Sequence, residues 1–273
     1  MSTDREVSAH LQQLEQRSIM IIREAKAQFK NLAVLWSTGK DSTAALWLCR
    51  KAFLGKIPFP AVHIDTGYKF PQIYEFRDRI AKELDLNLII AKNEEAMRNG
   101  INPEKGKFEC CTALKTEALK RLIEKEKFDA LILAIRRDEH GIRAKERYFS
   151  PRDKDFKWDY KNQPAEVWDL YVKPSEDFSH TRVHAILHWT ELDVWQYVKQ
   201  EKMPINPLYF AKDGKRYRSL GCMPCTLPIP SNAKTIDEVV EELKTTKIQE
   251  RAGRAQDKEQ AYTMQKLRSL GYM

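Results

Sequence analysis

Ala33-Val34-Leu35-Trp36-Ser37-Thr38-Gly39-Lys40-Asp41-Ser42 is the stretch that decides the fold. Four apolar residues run into a turn of hydroxyls, a glycine and an acid, and an alanine- and leucine-rich segment from Thr43 to Phe53 begins at once. Strand, turn, helix is the order this implies. The start of a helix leaves backbone N–H groups unpaired and carries about half a positive charge, so it seats a phosphate well. Ser37, Thr38 and Ser42 add hydroxyl donors, Gly39 lets the backbone approach closely for want of a Cβ, and Lys40 adds a cation. A Walker A loop needs a glycine five residues ahead of its Gly-Lys and a hydroxyl after the lysine; here those positions hold Val34 and Asp41. The bland alternative is an ordinary strand-to-helix turn.

Outward from this loop, further short apolar runs read as strands: Ala61 to Ile64, Leu88 to Ala91, Asp129 to Ile135 and Val183 to Leu187. Helical spacing is expected over Val7–Phe29, Pro71–Leu84, Thr112–Glu126, Thr190–Val198, Ile236–Leu243 and Asp257–Leu270. Alternation of strands with helices predicts an α/β fold, a doubly wound and mainly parallel sheet flanked by helices, with a C-terminal helical and loop extension. Three parts are expected: an N-terminal helix over 1–30, a nucleotide-binding domain over 31–200, and a cysteine-containing, helical extension over 201–273. Residues 140 to 180 are rich in charge and aromatics and read as a long functional loop.

In an open parallel sheet the carboxyl ends of the strands carry the ligand loops, so Asp65, Thr66 and Gly67 are expected beside the first loop. A carboxylate there takes a ribose hydroxyl or a magnesium-bound water, or serves only the turn. The formal net charge of +8 favours anionic partners: nucleotides, sulfate, nucleic acid or an acidic protein face. Five cysteines without an apolar N-terminal signal imply a reducing cytoplasm, and no apolar run approaches the roughly 20 residues that span a bilayer.

The loop resembles the Ser-x-Gly-x-Asp-Ser loop of the PP-loop ATP pyrophosphatases. With His63-x-Asp65-Thr66-Gly67, Arg136-Arg137-Asp138-Glu139, Arg143-Ala144-Lys145-Glu146-Arg147, Trp158-Asp159 and Trp189-Thr190-Glu191, the chain resembles the phosphoadenosine phosphosulfate reductase superfamily nearly end to end. Within it the likeness is greatest to the small subunits of two-subunit sulfate adenylyltransferases. This implies attack of sulfate on the α-phosphate of ATP, with magnesium, giving adenylyl sulfate and pyrophosphate, and a GTPase large subunit as partner. Ser37, Thr38, Gly39, Lys40, Asp41, Ser42, His63, Asp65, Thr66 and Gly67 are then expected on the nucleotide. Lys40, Asp41, Arg136 and Arg137 are the expected catalytic residues, and Arg136, Arg137, Glu139, Arg143 and Arg147 the expected anion contacts. Guanidinium groups suit that work because they grip sulfate or phosphate by two hydrogen bonds at once; the alternative is a salt-bridged surface with Asp138, Glu139 and Glu146. Sulfate is already an anion, so no general base is nominated.

Cys110-Cys111 and Cys222-x-x-Cys225 look like the set that holds a [4Fe–4S] cluster in the adenylyl-sulfate reductases of the same superfamily. Four thiolates suit such a cluster or a zinc ion, and unliganded thiols are the third possibility. Those reductases also need a nucleophilic cysteine in the tail; no cysteine follows Cys225 here, which sets reductase activity below adenylation. The second functional reading is a DNA phosphorothioation enzyme, with nucleic acid and a cysteine desulfurase as partners. Cys49, in the helical segment after the loop, reads as a small buried apolar residue.

Overall fold

A computed structural model gives the architecture and describes residues 2–104, 106–171 and 178–254. Six strands form the central sheet: β1 (Leu32–Leu35), β2 (Ala61–Ile64), β3 (Leu88–Ala91), β4 (Ala130–Ile132), β5 (Phe149–Asp153) and β6 (Phe178–Val183), in the order β3-β2-β1-β4-β6-β5. All neighbouring pairs are parallel except β5 with β6. The chain leaves β1 in one direction toward β2 and β3 and returns on the other side as β4. Between the carboxyl ends of β1 and β4 the sheet therefore has its topological switch point, the crevice where open α/β sheets bind ligands.

Every residue of β1, β2 and β4 is buried, as expected of parallel strands covered on both faces. Val34 and Ile132 join Trp36 in a core with the helices α1 (Ser2–Gln28), α2 (Lys40–Ala52), α3 (Pro71–Glu83) and, further along, Val194, Trp195 and Val198. Ala33, Leu35, Val62, Ile64 and Leu131 face the other way and pack with Leu119, Leu122 and Ile123. Cys49 lies wholly within the first core, where burial alone raises its thiol pKa.

Three further helices follow. α4 (Glu94–Arg98) and α5 (Lys107–Cys111) are short, and α6 (Glu117–Glu126) continues from α5 through a π-helical turn over Thr112–Thr116. The expected helix from Thr112 is thus displaced by one wide turn placed directly after the paired cysteines; such turns admit an extra residue and redirect side chains. α7 (Glu191–Glu201) opens on a capping box of Thr190 and Asp193, and α8 (Ile236–Thr245) on one of Thr235 and Glu238. The expected helix over 257–270 lies outside the described residues.

Two expectations for the second half of the sheet need correction. The fifth parallel strand, β6, ends at Val183 instead of beginning there; Ala185 to Leu187 turn back, with Leu187 N–H on His184 O, and the carbonyl of Ala185 takes the Ser18 hydroxyl of α1 at 2.8 Å. The stretch 140 to 180 is not all loop, because Phe149–Asp153 forms the antiparallel edge strand. Both strands escape a hydropathy reading because their own residues are polar and buried: Ser150 and Arg152 in β5 and His180, Thr181 and Arg182 in β6, with Arg152 Nη2 on the buried Glu146 at 3.0 Å and Ser150 Oγ on Glu146 at 2.6 Å. Pro151 fits an edge, where one face of the ladder needs no donor.

Candidate functional site

The stretch from Ser37 to Ser42 turns sharply out of β1 into the first turn of α2, which begins at Lys40. Thr38 has φ +66, a left-handed conformation that costs energy for a β-branched residue, and its buried hydroxyl donates to the Ser37 carbonyl at 2.6 Å. The Ser37 and Ser42 hydroxyls meet at 3.1 Å. Ser37, Gly39, Asp41 and Ser42 line a cavity of about 170 Å³ at the switch point.

Lys40 and Arg136 are buried in a web of carboxylates, not aimed at open solvent. The Lys40 ammonium contacts Glu250, lies 3.1 Å from Asp41 and 3.8 Å from Glu191. Arg136, wholly buried, contacts Asp41 and Glu250 and reaches Asp138 at 3.0 Å. Burial opposes the charges on Arg136 and Glu250, but their mutual attraction outweighs it: Arg136 is held above its ordinary pKa and Glu250 far below. Asp41 therefore couples the loop to the end of β4, and Glu250 couples both to a late segment, a 3₁₀ turn over Glu250–Gly253.

Different cations face the cavity. Lys69, Lys115, Arg143, Arg251 and Arg254 line it, together with Glu139, which pairs with Arg143 and takes Arg251 at 3.0 Å. Lys115 and Arg254 are buried. Lys69 has its pKa lowered, first by burial and then by Lys115 and Arg254 against the pull of Cys222 and Asp65. Like charges gathered in a low-dielectric recess are the signature of an anion site. Gly221 makes room for one of them, since a Cβ there would collide with the Arg254 guanidinium.

The other expected residues divide. Glu139 and Arg143 line the cavity, whereas Arg137 stacks its guanidinium 5.3 Å over the Tyr148 ring and Arg147 is exposed, its carbonyl bonded to His184. Asp65 spends its oxygens on Gly67 N–H (2.8 Å), the Tyr74 hydroxyl (2.8 Å) and Lys92 (3.0 Å), contacts that outweigh burial and lower its pKa. Gly67, at φ +75, completes that turn. His63, in β2, is buried with Nδ1 on Trp36 O at 2.9 Å; burial, then Lys69, pushes its pKa down to about 3. Sequence reading missed Lys69, Lys115, Tyr209, Arg251 and Arg254. The one available signal was the Arg-x-x-Arg spacing of the last two, which a 3₁₀ turn brings to one side.

The cysteines lie beside this cation wall. Cys110, Cys111, Cys222 and Cys225 are all buried, and the Cys222 thiol lies 3.2 Å from the Thr66 hydroxyl. Cys110, raised to about 12 chiefly by burial, also feels Cys111, Cys222 and Cys225. Cys222 behaves oppositely: burial would raise it, but Lys115, Lys69 and the Thr66 hydroxyl bring it down to about 6. Among the described residues no group of three or more His, Cys, Asp or Glu side chains is arranged as a metal site, so the four-thiolate ligand set is not displayed as a coordination sphere.

A doubly wound sheet with a phosphate-type loop at its switch point and a cation-lined crevice opposite defines a nucleotide-binding α/β protein. Residues 31–228 match the phosphoadenosine phosphosulfate reductase domain. The chain is 43% identical to sulfate adenylyltransferase subunit 2 of Geotalea daltonii over 96% of its own length and 98% of that protein's. It is 42% identical to that of Psychromonas ingrahamii over 96% and 97%. Among solved structures it is similar in fold to the phosphoadenylyl-sulfate reductase of Candida auris (TM-score 0.54, 17% identity, 80% of this chain and 97% of that one) and to yeast FAD synthetase (TM-score 0.59, 17% identity, 91% of each). The chain belongs to the phosphoadenosine phosphosulfate reductase domain family, in the branch of the sulfate adenylyltransferase subunit 2 proteins.

Proposed function

We propose that this chain is the adenylyl-transferring subunit of a sulfate adenylyltransferase. A sulfate oxygen attacks the α-phosphorus of ATP, the α–β bond breaks, and its electron pair leaves with pyrophosphate. Such a displacement between anions needs positioning and positive charge more than acid–base chemistry. One observation carries the reading: residues of the Ser37–Ser42 loop and the cations Lys69, Lys115, Arg143, Arg251 and Arg254 line a single cavity. In this scheme the loop holds the pyrophosphate end of ATP with its magnesium, Asp41 fixes the loop through Arg136, and the cation wall receives sulfate. Arg137 and Arg147 take no part in it.

A [4Fe–4S] cluster on Cys110, Cys111, Cys222 and Cys225 is part of this proposal, with zinc as the alternative. The donor set fits: four buried thiols that influence one another's charge. When bound, the group ties the α5 segment to the loop around Gly221, next to Lys115; adenylyl transfer moves no electrons, so its contribution there is structural and electrostatic. The name of the relatives implies a second subunit, and a GTPase is the partner this reading expects.

The test is direct. Incubation with ATP, magnesium and sulfate, with and without a GTPase partner and GTP, should yield adenylyl sulfate and pyrophosphate in equal amounts. Pyrophosphate release indifferent to sulfate would overturn the reading. Visible absorbance in anaerobically purified protein should accompany the cluster, and metal analysis finding zinc alone would replace it.

A further inference from the structure

Tyr209 stands against the phosphate loop, although it is remote in sequence and belongs to no part of the motif. Its hydroxyl accepts the backbone N–H of Lys40, the first residue of α2, at 2.9 Å. The side chain is 1% exposed to solvent, yet it lines the cavity. Its ring is fixed edge-on to Trp195 at a centroid distance of 5.5 Å, with the Lys40 ammonium 5.9 Å from the ring centroid. The segment that carries it, Pro207–Tyr209, is capped by the Asn206 side chain on Leu208 N–H, and Asn206 in turn donates to the Gln72 carbonyl at 3.2 Å. The hydroxyl is thus held in place from three sides.

A phenol has one proton to give. Here the oxygen has taken the Lys40 N–H, and among the described residues no acceptor receives the O–H. An oxygen that accepts from the positive end of a helix becomes a better donor, because each hydrogen bond polarises the next. Gly39 approaches this hydroxyl so closely that a Cβ would stand 3.3 Å from it and 3.5 Å from the Ser37 Oγ.

We infer that Tyr209 is a positioning residue for the nucleotide: it relays the first N–H of α2 and donates its own proton to an oxygen of the pyrophosphate portion of ATP. The inference rests on the adenylyl-transfer reading above and names one more group in that site. It assigns to the helix terminus a donor that reaches further into the cavity than the backbone does. It also gives a reason for glycine at position 39, whose φ of −75 any residue could adopt.

Tyr209→Phe removes only the hydroxyl and keeps the ring packing. Titration of the full chain with ATP–magnesium, pyrophosphate and AMP separates the outcomes. Loss of one hydrogen bond to a charged group predicts roughly 10-fold to 100-fold weaker binding of pyrophosphate and ATP, with AMP affinity unchanged, and a matching fall in kcat/KM for pyrophosphate release. Gly39→Ala should show a smaller loss of the same kind, and that loss should shrink in the Tyr209→Phe background because the two act on one contact. Equal losses for AMP and pyrophosphate, or strict additivity of the two substitutions, would overturn the role. A wild-type chain that binds neither ATP nor pyrophosphate would instead remove the nucleotide reading, and this inference with it.

Discussion

One wall of the cavity comes from a single short run, Ser37 to Ser42, which spans the turn after β1 and the start of α2; the other collects Lys69, Lys115, Arg143, Arg251 and Arg254 from four separate segments. The first wall is local. Its donors come from backbone direction and from hydroxyls a few bonds apart, and its charges are neutralised by Asp41, Glu191 and Glu250. The second exists only when the whole chain has folded, since it needs the turn after β2, the π-helical turn after Cys111, the 3₁₀ segment at Gly141–Lys145 and the late segment from Glu250. The difference suggests a division of labour: the local wall fixes a ligand common to many enzymes, and the assembled wall selects what reacts with it.

If so, damage to the local wall should be severe and indifferent to which anion attacks. Asp41→Asn leaves Lys40 and Arg136 sharing one fewer carboxylate and detaches the loop from β4. Breaking a buried ion pair on one side costs about 3–5 kcal/mol, and if that cost falls on the reacting complex it corresponds to a loss of roughly 200-fold to 5000-fold in pyrophosphate formation. Activity within tenfold of wild type, measured as pyrophosphate release, would mean that Asp41 is not the tie. Arg136→Met attacks the same web from the other end and strands Asp41, Asp138 and Glu250. Its expected effect is on stability, about 3–5 kcal/mol by urea unfolding, because the guanidinium is wholly buried and does not face the cavity.

The assembled wall should fail selectively. Lys69→Met removes one of its cations, and a charge-assisted contact of that kind is worth roughly 10-fold to 100-fold in affinity. KM for sulfate should rise by that factor while ATP binding stays within about twofold. A loss shared equally by both substrates would erase the distinction between the walls.

Acid should act on the carboxylate that holds Lys40 and Arg136 together. The pKa of Glu250 in the folded chain is held far below that of a free glutamate, so it binds its proton less readily folded than unfolded. Its stabilising contribution is therefore present above the unfolded value of about 4.3 and is lost as the pH falls toward the folded one. Glu250→Gln should flatten the dependence of unfolding free energy on pH below about 5, read from denaturant midpoints at successive pH values. An unchanged slope would show that folding does not lower the pKa of this carboxylate.

The contrast between the walls also governs how much a sequence reveals. The Ser37–Ser42 loop, the strand before it and the helix after it could be read because motif, hydropathy and turn chemistry coincide within twenty residues. The parallel direction of the first four strands followed from alternation, whereas their order β3-β2-β1-β4 did not. β5 and most of β6 were hidden, since Arg152, Ser150, His180, Thr181 and Arg182 are polar residues buried by pairing with one another, which hydropathy scores as surface. Of the cation wall only Arg143 was read, through the Arg143–Arg147 motif that follows Arg136–Glu139. Lys69 and Lys115 look like ordinary surface lysines until the fold draws them to the cavity, and Arg254 has meaning only beside Gly221.

Arg136 and Arg137 put this to its finest test, because adjacency in sequence gave them the same expected role and the fold separates them. Arg137 is half-buried and does not line the cavity; its guanidinium lies over Tyr148, a ring that Arg17 also covers at 5.0 Å. A cation–π contact of that exposure contributes about 0.5–1 kcal/mol, and Arg17 remains to replace part of it. Arg137→Ala should therefore lower stability by no more than about 1 kcal/mol and leave KM for both ATP and sulfate unchanged. A tenfold rise in KM for sulfate would place an anion contact on the Tyr148 side, and the attacking group would then have to reach the nucleotide from outside the cavity that the five cations line.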